Sequence, residues 1–158
     1  MAVANNGWAS VVEAALYFTD ERHITTLWDA LADDDAKNKI LNMAYNRIYY
    51  CPDFSTPAAG AETAAELVYL IKAQSEMAYY LLMHIEDEDR RKGIQAQGVT
   101  TAGIVKEVYD KDRLNEVPIP AFVADILEDA GFVTPSGFGI IDIARDEDES
   151  VSTKIDEF

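Results

Sequence analysis

Ala61-Glu-Thr-Ala-Ala-Glu-Leu-Val-Tyr-Leu-Ile-Lys-Ala-Gln-Ser-Glu-Met-Ala-Tyr-Tyr-Leu-Leu-Met-His-Ile-Glu86 sets the architecture of this chain. Leu67, Leu70, Ile71, Ala78, Leu81, Leu82 and Ile85 recur at helical spacing on one face, and only Gln74 interrupts them. At 1.5 Å per residue such a helix is roughly 35–40 Å long, the spine of the expected fold. Met77, Tyr79, Tyr80 and Met83 fill the other sides of its second half. A helix apolar nearly all round is buried on several sides, by its own domain or by a neighbouring subunit.

Toward the N-terminus, Ser10-Val-Val-Glu13 is a capping box, followed by Val11, Val12, Ala15, Leu16 and Phe18 on a helix expected to reach about Thr19. Asp20-Glu-Arg-His23 breaks it, and a short turn over Thr26 to Leu31 carries Leu27, Trp28 and Leu31. Asp33-Asp-Asp35 favours a helix start, because the free N–H groups there carry partial positive charge. Ile40, Leu41, Ala44 and Ile48 stripe the helix that follows, Cys51-Pro52 ends it, and 52–60 reads as a loop.

Toward the C-terminus, Glu86-Asp-Glu-Asp-Arg-Arg-Lys92 reads as a solvated helix end with internal ion pairs, the alternative being an intersubunit charge contact. Gly93 to Val99 and Gly103 to Tyr109 carry β-branched residues between glycines and suggest two short strands or an extended arm, about 93–117. Pro118-Ile-Pro120 leads into a last helix with Phe122, Val123, Ile126, Leu127 and Ala130 on its apolar face, and Gly131 stops it. Residues 133–158 read as an extended tail that docks elsewhere or stays disordered. The fold class expected is mainly α: a helical bundle around one long central helix, with a short β hairpin arm and a C-terminal tail. The helical domain is 1–132 and the tail 133–158.

The chain has 158 residues, a formal charge of −16 and one cysteine. That charge argues against capture of nucleic acid over the whole surface, which needs lysine and arginine on the phosphates. A lone Cys51 excludes an intramolecular disulfide framework and reads as a small buried apolar side chain. The first residues lack the pattern of a signal peptide, and Met77 to Met83 is far shorter than a membrane span, so the chain reads as soluble, cytosol-made and without a membrane partner. His23 and His84 have no ligand partner at metal spacing and read as capped or partly buried imidazoles. Asp142, Asp146 and Asp148 lack the sixth-position glycine and closing glutamate of a calcium loop. Tyr45, Tyr49, Tyr50, Tyr69, Tyr79 and Tyr80 read as core and interface residues more than as a platform for single-stranded bases. No enzyme, cofactor or metal is expected.

The order of these motifs resembles a known family. A short capped helix, a helix ending Asn46-Arg47-Ile48, an aromatic loop with Phe54, a long helix with Glu76-Met77-Ala78, the segment Gln95-Ala-Gln-Gly-Val99, Tyr109 and a Pro118-Ile-Pro120 helix with Leu127 follow one another. Over roughly 8–131 this is similar to the head–tail connector (adaptor, or head-completion) proteins of long-tailed bacteriophages. The resemblance implies a dodecameric ring of helical bundles below the portal protein, extending the DNA channel and presenting a surface to the next neck or tail protein. It implies a virion location at the neck. Partner contacts are then expected at Ile94, Gln95, Gln97, Gly98, Val99 and Tyr109 in the extended segment. In the tail they are expected at Phe138, Ile140, Ile141, Ile143 and Phe158. A related resemblance, to phage proteins described as DnaT-like single-strand-binding proteins, implies a role in replication instead, and a third reading is a tail-terminator or other tail-end ring protein, which shares the ring logic.

Overall fold

The computed structural model of the chain describes residues 3–96, 101–102, 107–108 and 119–134. Three of its helices begin where side chains satisfy the backbone N–H groups that a helix start leaves free. Ser10 Oγ accepts from Glu13 N at 3.2 Å while the Glu13 carboxylate accepts from Ser10 N at 2.8 Å, opening α1 (Val11–Glu21). Asp33 Oδ1 accepts from Ala36 N at 2.8 Å and opens α3 (Asp34–Tyr49), after the single turn α2 (Thr26–Asp29). A second capping box opens α4 (Ala64–Ala96): Thr63 Oγ1 accepts from Glu66 N at 3.3 Å and Glu66 accepts from Thr63 N at 2.7 Å. Pro120 precedes α5 (Ala121–Asp129), and its carbonyl accepts from Ala124 N at 3.0 Å.

The described residues are therefore mainly helical, and α4 meets each of α1, α2, α3 and α5. Phe18, Trp28, Leu41, Ile48, Leu70, Met77, Leu81, Val123 and Leu127 are fully buried among them. Phe18 holds this core together laterally, with its ring 5.0 Å from Trp28 and 5.9 Å from Tyr79. Burying side chains of this size is worth about 1.5–3 kcal/mol each, the main term favouring the bundle.

Three expectations need correction. The long helix starts at Ala64, where the Thr63 cap lies, and continues ten residues past Glu86. Glu86 to Lys92 is helix throughout, with Arg90 3.7 Å from Asp87 one turn back, and the lone Gly93 costs about 1 kcal/mol without ending it. Ile94 and Gln95, expected in an extended arm, are therefore helical. A two-residue antiparallel ladder instead joins β1 (Thr101–Ala102) to β2 (Glu107–Val108), pairing Thr101 with Val108 and Ala102 with Glu107. His23 and His84 are both exposed among the described residues, and the His84 ring lies 4.7 Å from that of Tyr80, centroid to centroid.

The end of α5 closes the fold. Gly131 takes φ 81°, a left-handed conformation that glycine adopts without cost. Gly131 N donates to Glu128 O at 2.8 Å and Phe132 N to Leu127 O at 3.0 Å, a Schellman turn that drives Phe132 into the core beside Leu127. The chain then pairs with the loop after α3: Ser55 N donates to Phe132 O at 2.7 Å and Thr134 N to Asp53 O at 2.8 Å. Val133 and Thr134, the first residues of the expected tail, thus lie on the loop 53–55.

Candidate interaction surfaces

The residue that interrupts the apolar face of α4 is a buried junction between three segments. Gln74 is fully buried; its Oε1 accepts from Ala9 N at 2.7 Å and its Nε2 donates to Leu41 O at 3.0 Å. One amide thereby ties the segment before α1, helix α3 and helix α4 together. Gly7 is needed beside it, because a Cβ there would stand 2.2 Å from Gln74 Nε2.

From this junction the chain runs back along α3 as a strap. Val3 N donates to Asp35 Oδ1 at 3.0 Å, Val3 O accepts from Asn38 Nδ2 at 3.3 Å, and Ala4 O accepts from Asn42 Nδ2 at 2.9 Å. Asn6 N returns a bond to Asn42 Oδ1 at 2.9 Å. Asp35, Asn38 and Asn42 fall three and four residues apart, so the three side chains form one row on α3. All four bonds are to backbone groups of the strap, and Ala4, Asn5 and Asn6 are exposed. Four such bonds give about 0.5–1.5 kcal/mol each. Trp8 and Ala9, both buried, anchor its inner end; Trp8 Nε1 donates to Pro57 O at 3.0 Å.

A second polar cluster fastens α1 to α4. Glu76, nearly fully buried, accepts from Tyr17 Oη at 2.9 Å and pairs with Arg22, whose guanidinium also lies 3.8 Å above the Tyr79 ring. Lys72 Nζ reaches the Glu21 carboxylate at 2.7 Å from the next turn of α4. Burial, then the nearby Glu21 carboxylate, push the Tyr17 hydroxyl above the ordinary tyrosine range, with Arg22 opposing them. Glu76 was visible in the sequence only as part of a family-like triplet, and neither Arg22 nor Tyr17 carries a motif; the three converge only once α1 lies on α4.

Several aromatic side chains do stack, but on one another. Trp8 meets Tyr45 edge-on at 4.6 Å, Tyr45 stacks on Tyr49 at 5.3 Å, and Ala59 N donates to Tyr45 Oη at 3.4 Å. Tyr79 is buried, whereas Tyr50 stands 72% exposed and Tyr69 is also exposed. Apolar side chains left outside include Val12 and Leu16, one turn apart on α1 at 77% and 61% exposed, and Ile24, Val68 and Phe122. Cys51 is buried, as its lone occurrence suggested. Among the described residues no three His, Cys, Asp or Glu side chains converge to hold a metal ion, and no helix is long and apolar enough to cross a membrane. No family model, curated protein or solved structure matches the chain.

Of the expected partner-contact residues, Ile94 and Gln95 are neighbours in the last turn of α4. Gln97, Gly98, Val99, Tyr109, Phe138, Ile140, Ile141, Ile143 and Phe158 lie outside the described residues. The features that reasoning from sequence missed are the strap and its asparagine row. Their one sequence signal is Asp35, Asn38 and Asn42 at helical spacing on a helix whose opposite stripe is apolar.

Proposed function

We propose that this chain is a structural subunit of a bacteriophage neck: a head–tail adaptor that works by assembly and not by catalysis. Copies close into a ring between the portal protein and the next neck or tail protein, and the ring extends the DNA channel in the virion. The observation that carries the reading is the order of its motifs, from Ser10-Val-Val-Glu13 through Asn46-Arg47-Ile48 and Glu76-Met77-Ala78 to Pro118-Ile-Pro120. Two features support it. A small helical module leaves Val12, Leu16 and Phe122 on its surface, which repeated contact with a neighbour covers at no cost in new fold. A net charge of −16 suits a lumen through which DNA phosphates slide without sticking.

In this reading α4 is the spine of each subunit, and the segment after it, with the hairpin and the C-terminal tail, forms arms that order on docking to neighbouring copies or to the portal. The expected contacts are those at Ile94, Gln95, Gln97, Gly98, Val99 and Tyr109, and at Phe138, Ile140, Ile141, Ile143 and Phe158. Quantitative mass spectrometry of purified virions tests the assignment. One copy for each copy of the portal is the expected result. Presence in infected cells with absence from particles overturns it and brings forward a replication protein that binds single-stranded DNA.

A further inference from the structure

Two outer faces of the bundle carry opposite charge. The chain has 29 Asp and Glu residues, yet none falls between Ala36 and Tyr50, where Lys37, Lys39 and Arg47 occur. Lys39, Met43, Asn46 and Tyr50 recur at helical spacing on the side of α3 away from its buried stripe, and all four are exposed. Arg47 lies half-buried beside them, and Lys37 turns aside to Trp28, 5.4 Å from the ring. The reverse holds on α5, where no Lys or Arg occurs between Arg113 and Arg145. Phe122, Asp125 and Asp129 line its outer side and are exposed, opposite buried Val123 and Leu127.

The carboxylates of α5 lack any offsetting charge on their own helix. Asp125 and Asp129 stand one turn apart, a like-charge spacing that disfavours the helix. Glu128 and Asp129 sit in the last turn, at the negative end of the helix dipole, where a cation is favoured and α5 has none. Neither Lys39 nor these three carboxylates takes part in an ion pair among the described residues.

We propose that the outer face of α3 docks on the outer face of α5 in a second copy of the chain. Each face sets a charge one turn from an exposed apolar side chain: Lys39 before Met43 on α3, and Asp125 after Phe122 on α5. With the two helices antiparallel, Met43 on the Phe122 ring brings Lys39 beside Asp125, a sulfur–aromatic contact next to an ion pair. Copies of net charge −16 repel one another overall, so they associate only through a local pairing of opposite faces. Other acidic molecules also answer a basic face, but the chain's own α5 answers it in charge and in apolar anchor together. Because the two faces differ, copies join head to tail and close into a ring where the rotation between them allows. The place of such a ring in a virion rests on the neck reading above; the pairing of the faces does not.

A charge exchange between two full-length variants tests the pairing. One carries Lys39→Glu and has two acidic faces; the other carries Asp125→Lys and Asp129→Lys and has two basic ones. All three positions are exposed, and circular dichroism checks that both variants stay helical. In sedimentation equilibrium at low ionic strength the parent is expected to associate, and added salt to weaken it. Each variant alone is expected to associate at least about tenfold more weakly. An equimolar mixture of the two is expected to regain the association of the parent, because every contact between unlike variants again joins a basic face to an acidic one. A mixture no better than either variant alone overturns the pairing, as does a parent that stays monomeric at about 1 mM. Loss with Lys39→Glu but not with the α5 variant overturns the second copy as occupant and assigns the α3 face to another acidic molecule. The copy number in virions reads the neck assignment separately: association in solution with absence from particles keeps the pairing and overturns the neck.

Discussion

At Gln74 the apolar pattern of α4 and the structure make opposite predictions. Pattern alone treats the residue as a flaw in an apolar face, so Gln74→Leu would fill the gap and stabilise the bundle. The structure has that amide satisfying Ala9 N and Leu41 O, both inside the fold. Leucine leaves Ala9 N without its partner, at about 1–3 kcal/mol, and removes the second hydrogen bond to Leu41 O, which keeps its place in the α3 ladder, so a net loss of about 1–3 kcal/mol is expected in denaturant titration. Ser75→Ala is the contrasting control one position on: among the described residues the buried Ser75 hydroxyl has no hydrogen-bond partner, so its removal is expected to keep stability or raise it slightly. Equal stability of Gln74→Leu and the parent would mean that the junction is not held by this amide. Tyr17 gives a second test at the same scale, with pH as the variable. Its hydroxyl titrates above the free-tyrosine value because the folded state buries it beside Glu21. The unfolded chain therefore ionises first: the contribution of Tyr17 is complete below about pH 10 and is lost as pH rises through the raised value. Unfolding free energy measured between pH 8 and 11 should fall in that window, and Tyr17→Phe should remove that part of the fall.

Helix boundaries are the element-scale lesson, and the caps decide them. Ser10-Val-Val-Glu13 and Thr63-Ala-Ala-Glu66 are the same box, and both close in the structure. The first is legible at once because apolar residues follow it. The second is hidden inside an alanine-rich run that reads as helix from Ala61. Thr63→Ala is expected to cost about 1 kcal/mol and to fray the first turn of α4, visible as faster amide exchange over Ala64–Leu67. Unchanged exchange there would show that packing and not the cap sets this end. The same box predicts an acid response. Hydrogen bonds from the Thr63 backbone and hydroxyl hold Glu66 below the usual carboxylate range, so its support is present above the unfolded value and is lost as pH falls through the lowered one. The far end was misread for a different reason. Charged residues at 86–92 looked like a terminus, yet lysine, arginine and glutamate are good helix formers, and one glycine does not offset them. Periodicity thus made the helices and their buried stripes legible, including Ile40, Leu41, Ala44 and Ile48. Contacts that depend on two elements meeting, such as Arg22 with Glu76 or Asn42 with the strap, have no period to betray them.

For the whole molecule, the question is where the folded unit ends. Composition changes after Phe132, which places a boundary at 132, but the hydrogen bonds run on to Thr134. Phe132 is a core residue, and its carbonyl and the Thr134 N–H both bond to the loop 53–55, which in turn sits next to the Trp8 and Tyr45 cluster through Pro57. Two truncations separate the domain from its tail. A chain ending at Thr134 keeps the Schellman turn, the buried phenyl ring and both loop bonds, so its melting temperature should match that of the full chain. A chain ending at Gly131 loses them together. Emptying a buried phenylalanine site costs about 3–5 kcal/mol, a large share of the roughly 5–15 kcal/mol that holds a domain of this size. That chain should melt well below the first, with the loss centred on the loop after α3. If the two melt together, the pairing with 53–55 adds nothing and the boundary belongs at 131. If the chain ending at Thr134 also melts early, residues beyond it belong to the core and cannot serve as an arm for a neighbour. A stable chain ending at Thr134 that no longer joins virions is the result that ties the tail to assembly, because folding and attachment are then lost at different cuts.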